Sequence, residues 1–138
     1  MTTPDDDLWS GADLIYAYTR AQAIEDGVLI DVSALAREAG FKFHTVITAN
    51  VHASAVTLTP AAKLAGCDER GRLWDVLWMA SLAARKARRD GTDTDRVAFH
   101  VLVVRDDYRR PESVPLVLHI GPGDTPEPVL TIMTPWED

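Results

Sequence analysis

Four histidines, one cysteine and 21 carboxylates are the side chains of this 138-residue sequence best suited to moving protons, holding metals or attacking electrophilic carbon. His100 and His119 fall in two consecutive apolar segments that read as adjacent strands. If that hairpin pairs residues whose numbers add to about 219, the imidazoles are cross-strand neighbours, suited to an acid-base pair or to part of a metal site. A zinc centre needs three or four protein ligands, and the carboxylates nearest in sequence, Asp106 and Asp107, lie beyond the strand end. His100 and His119 therefore stand as the residues of an enzymatic or metal-binding alternative, and the sequence implies no cofactor. His44 and His52 are eight positions apart. On a helix that leaves them ~80° apart, so they form no paired-ligand motif.

Other chemistries have less support. No G-x-S-x-G elbow occurs, and Cys67 is followed by Asp68, a neighbour that disfavours a thiolate. Gly121-Pro122-Gly123-Asp124 has the glycines of a phosphate loop but no lysine, and it joins two strands; it reads as a type II turn.

The elements that must position these side chains follow from hydrophobic period. Ser10 with Asp13 predicts a helix start, and Leu14, Ile15, Tyr18 and Ala21 continue a helical stripe to about Ile24. Val28, Leu29 and Ile30 suit a short strand, and Asp31 or Ser33 caps a short helix that Gly40 ends. Residues 41 to 56 carry both a strand-favouring set of valines and threonines and an approximate helical stripe, which is read as helix. Thr59-Pro60 opens another short helix, and Asp68 to Gly71 reads as a turn. The long central helix is expected from Leu73 to about Arg89, with Trp74 and Trp78 broadening its apolar face.

After residue 95 the period becomes that of strands, at 97 to 104, 114 to 120 and 129 to 133. The first should be covered on both faces or central, and the second should begin pairing only after Pro115. Helices first and strands afterwards is the α+β pattern. The expectation is N-terminal helices on one face of a three- to four-stranded antiparallel sheet, formed mainly by the C-terminal third. One domain spans residues 1 to 138, with 1 to 9 as a flexible acidic lead.

The net charge of −7 is unevenly spread. Residues 1 to 31 carry seven acids against Arg20 alone, and residues 121 to 138 carry four acids and no base. The bases, Arg85 to Arg89 and Arg105 to Arg110, are interrupted by acids, which argues against a nucleic-acid stripe. No apolar run is long enough for a membrane helix, and the acidic start lacks the pattern of a secretion signal, so a cytoplasmic location is expected.

An interaction surface is the reading that remains. Its candidates are Asp5, Asp6, Asp7 and Trp9 at the head, and Asp124, Glu127, Trp136, Glu137 and Asp138 at the tail. Tyr108, Arg109 and Arg110 form a second candidate on a hairpin tip. Tryptophan and arginine are the residues that most often anchor interfaces. Folding is expected to gather head and tail acids into one electronegative patch.

The segments LIYAYTRAQAIEDGVLIDV, AREAGF, GRLWDVLWMA and IGPGDTPEPVLTIMTPWED resemble an uncharacterised family of small acidic proteins of unknown function, carried on bacterial plasmids, integrative elements and phages. The resemblance covers nearly the whole chain and transfers no catalytic residue. It implies an accessory factor that blunts a host defence by binding a host protein or complex with a basic surface, without catalysis. Self-association through a sheet edge or the Trp74 helix is the further alternative.

Overall fold

The computed structural model describes residues 19–64, 66–92, 94–104 and 111–137. The expected helix between Ser10 and Tyr18, the acidic lead, Trp9, Tyr108, Arg109, Arg110 and Asp138 lie outside the described residues.

The chain is α+β, but the sheet is larger than expected and mixed. Its five strands are β1 (Leu29–Asp31), β2 (Thr45–Thr48), β3 (Arg96–Val103), β4 (Glu112–Pro122) and β5 (Pro128–Met133). Their order is β1-β2-β5-β4-β3. β2 and β5 run parallel, and every other neighbouring pair is antiparallel. The three C-terminal strands form the anticipated meander, and β1 and β2 extend it from the N-terminal half.

Residues 41 to 56 account for most of the difference. The β-branched run Thr45-Val46-Ile47-Thr48 is a strand buried at every position. Branching at Cβ restricts χ1 and suits a pleated surface better than a helix. Thr48 then accepts from the Val51 N–H at 3.2 Å and starts a turn of helix, α3 (Ala49–Val51), which widens into a π-helix, His52–Val56. The helical stripe was real over its second half only.

Side chains on one face of the sheet form the main core. Register aligns Ile30, Ile47, Ile132, Leu118 and Val97 in a row across all five strands. Over this face pack α2 (Ser33–Glu38), the π-helix and the long α5 (Glu69–Arg89). The short α4 (Pro60–Leu64) begins at the expected proline, with Thr59 accepting from the Ala62 N–H. α5 starts four residues before the expected Leu73, because Asp68 is its N-cap and accepts from the Gly71 N–H. Trp74 is half-buried against the core and broadens the apolar face as expected, whereas Trp78 is 38% exposed. The two rings stack at 5.8 Å, with Arg85 over the Trp78 ring.

Not all helices share that face. α1 (Arg20–Glu25) opens at Thr19, whose extended backbone and capping box with Gln22 interrupt the helix read through this position. Arg20 reaches the opposite side of the sheet, donating to Thr131 Oγ1 at 2.8 Å and to the Leu130 carbonyl at 2.5 Å.

Three expectations about the strands are corrected. β3 is an edge strand exposed on alternate residues, not a central one, because β4 takes its inner side and β1 and β2 occupy the far end. Pro115 lies inside the β3–β4 ladder opposite His100, at a point where β4 has not yet met β5, so one side of the strand is open. Gly121 and Pro122 continue β4 and pair with Val129 and Pro128 instead of forming a turn. Among the described residues no helix is long and apolar enough to cross a membrane.

Candidate functional site

The C-terminal turn carries Trp136, the one aromatic candidate of the sequence that lies among the described residues. β5 delivers Thr134, only 1% exposed, to the edge of the core. Its N–H and its hydroxyl both donate to Glu137 Oε1, at 2.8 and 2.7 Å. The same oxygen accepts from the Thr48 hydroxyl at 2.8 Å, and Glu137 Oε2 accepts from Asn50 Nδ2 at 3.1 Å. The Glu137 N–H closes the turn by donating to the Thr134 carbonyl at 3.1 Å. Burial alone would raise the Glu137 pKa, but the hydrogen bonds from Thr134, Thr48 and Asn50 outweigh it and hold the carboxyl below its ordinary value. Trp136 sits on this locked turn and is 75% exposed.

Asp124 does a different job. Its two oxygens accept from the Arg20 and Ala21 N–H groups at 2.9 and 3.1 Å, satisfying the free amides that open α1. These bonds and the Arg20 charge depress its pKa. Glu127 is exposed on the same loop. Asp124 and Glu127 precede β5 and Glu137 follows it, so the six residues of that strand separate them by roughly 20 Å. The described tail acids, Asp124, Glu127 and Glu137, therefore form two groups at opposite ends of a strand, not one patch.

His100 and His119 are not neighbours. The β3–β4 register adds to 215, which sets His100 opposite Pro115 and His119 opposite Arg96. Four residues of strand, roughly 13 Å, lie between the two rings. His119 Nε2 faces Asp95 at 3.9 Å, and its ring lies against Gly121, where an added Cβ would meet Cε1 at 2.7 Å. Among the described residues no three His, Cys, Asp or Glu side chains converge as a metal set.

Two histidines passed over as a pair are each engaged elsewhere. Arg20 Nε donates to His44 Nδ1 at 3.4 Å, which leaves the proton on Nε2 to be given to Asp31 Oδ2 at 3.1 Å. His52 opens the π-helix and lines a cleft of about 680 Å³ between α2, the π-helix and the start of α5. Thr57 Oγ1 lies 2.9 Å from His52 Nδ1, and Glu69 faces Nε2 at 3.7 Å. Arg37 and Arg70 complete the charged rim, over walls that include Ile30, Val56 and Leu73. No sequence signal marks this cluster, because its members come from three elements joined only by packing. The one local cue, widening of the helix after Val51, has no pattern in residue types.

Comparison with curated proteins and with solved structures returns no match. A family model does match residues 6–138, and the chain belongs to that family, a family of unknown function (DUF6573).

Proposed function

We propose that this protein is a non-enzymatic interaction protein that docks on a basic surface of a host protein or complex, with Trp136 as its anchor. The observation that supports this is a tryptophan 75% exposed on a turn fixed by four hydrogen bonds to one carboxylate. An aromatic already held outward loses little freedom on binding, which is how anchors gain affinity. The net charge of −7, with Asp138 next in sequence after Glu137, favours a basic partner and speeds encounter. The resemblance to proteins of plasmids, integrative elements and phages points to inhibition of a host defence complex, in the cytoplasm. The Asp124 and Glu137 carboxylates are both committed within the fold, so the exposed Trp136 ring is the group offered for docking, and the arginines interrupted by acids keep nucleic acid disfavoured.

The test is paired affinity capture from host lysate with the wild type and Trp136→Ala, at low and high salt. The reading expects a stoichiometric protein that the wild type retains, that salt weakens and that the variant loses while melting at the wild-type temperature. Identical capture by both forms would refute it.

Self-association is the second reading, favoured by β3, which is an eight-residue edge strand with Leu102 63% exposed. Light scattering showing a dimer that Leu102→Lys dissolves would support it; a monomer at millimolar concentration would dismiss it.

A further inference from the structure

We infer that the cleft between α2, the π-helix and α5 is a binding site for a small organic acid, a molecule with an apolar body and one carboxylate. Its volume, about 680 Å³, lies within the range of ligand pockets, roughly 300 to 1,000 Å³. The walls supply apolar contact from Ile30, Val56 and Leu73, while the polar groups gather at the rim, an arrangement that takes an amphipathic guest.

The charge of the guest follows from which rim groups are already engaged. Asp31 is held by the Ser33 N–H at 2.9 Å and by His44 at 3.1 Å. Glu69 faces His52. Arg70 meets Glu38 at 3.3 Å, but these side chains are 71% and 60% exposed, and such a pair is weak and readily exchanged. Arg37 lines the cleft and has no carboxylate at ion-pair distance among the described residues. Glu69 and Arg70 are also the first two residues of a 21-residue helix, so its N-terminus lies at the cleft. Asp31 and Glu69 thus have partners, the partner of Arg70 is weakly held, and Arg37 is the charged group of the cleft left without one among the described residues. A planar carboxylate matches the fork of a guanidinium better than any other small anion. His52, with Thr57 at Nδ1 and Glu69 at Nε2, forms part of the same polar rim.

The experiment is a titration of the isotope-labelled full chain by amide-resolved NMR, using 2-naphthoate and its neutral isostere 2-naphthamide as probes. Naphthoate is expected to shift the resonances of residues 33 to 37 and 52 to 57 saturably, and naphthamide to bind about tenfold more weakly, the effect of losing one charge-assisted contact. Arg37→Gln, an exposed site that leaves the fold intact, should weaken naphthoate about tenfold and leave naphthamide unchanged. Equal affinity for the two probes, an unaffected Arg37→Gln variant, or shifts confined to other parts of the chain would each overturn the inference. Trp136→Ala binding naphthoate as the wild type does would keep this site distinct from the docking turn; loss of naphthoate binding in that variant would also count against it.

Discussion

Replacing Glu137 tests whether the turn that carries Trp136 is held in place or merely resting there. In Glu137→Ala the Thr134 N–H, the Thr134 hydroxyl and the Thr48 hydroxyl lose one shared acceptor, at residues 1% and 8% exposed. A buried donor without a partner costs about 1–3 kcal/mol, and the two hydroxyls can rotate toward other acceptors, so the cost is set mainly by the amide. The expected loss is about 2–3 kcal/mol, a fall in thermal midpoint on the order of 10 °C for a domain of this size. Glu137→Gln keeps an acceptor oxygen for Thr134 and Thr48 and loses only the charge, so it should cost about 1 kcal/mol. The two variants also differ in acid. The folded pKa of Glu137 is depressed, so its contribution is complete above the ordinary value of 4.5 and disappears as pH falls through the folded value. Urea unfolding followed from pH 7 to pH 3 should therefore show a shallower acid loss in Glu137→Gln than in the wild type, with Asp31 and Asp124 supplying the remainder. Equal midpoints for Glu137→Ala and the wild type, or superimposable pH profiles for Glu137→Gln, would refute the reasoning.

The other predictions concern groups whose partners are equally explicit. The Arg20 and Ala21 amide resonances should titrate together with a midpoint below 3.8, following Asp124, and Asp124→Asn should abolish that titration. Arg72 is buried and donates to the Thr57 and Val104 carbonyls, so Arg72→Met should cost about 2–3 kcal/mol by urea unfolding. Gly40 has φ +108° with Arg85 Nη2 3.0 Å from where a Cβ would stand, so Gly40→Ala should destabilise by about 1–2 kcal/mol. Leu118, fully buried in the row that crosses the sheet, should lose about 2–5 kcal/mol on replacement by alanine.

What could be read beforehand was what residue types encode locally. Gly40, Thr59-Pro60 and the valine-rich C-terminal runs each carry their own instruction, and each element formed near its expected place. Two caps were legible and misassigned: Thr19-x-x-Gln22 is a capping box in sequence, and Asp68 is an N-cap read as a turn. What had no local encoding was pairing between distant segments. Nothing in Thr45–Thr48 says that its neighbour is residues 130 to 132, and without that partner the segment had no sheet to join. The His100–His119 register failed for a related reason. The strands run past the apolar boundaries, through Pro115 and into residues 112 and 113, so the hairpin centre lies two positions earlier than the apolar runs imply. The cleft at His52 depends on tertiary contacts throughout, whereas Trp136 was visible as a polar-flanked aromatic whose exposure only coordinates could decide.

The placement of β5 has a consequence for how the chain is made. The strand at the centre of the sheet comes after the other four in chain order, and without it the β1–β2 pair and the β3–β4 hairpin are two fragments with no hydrogen-bonded seam between them. Closing β2 onto β5 brings residue 45 to residue 130, a long loop whose entropy is recovered only when both sides of the seam zip together. Chains that end before residue 128 are thus expected to be substrates for proteolysis and not partly working copies.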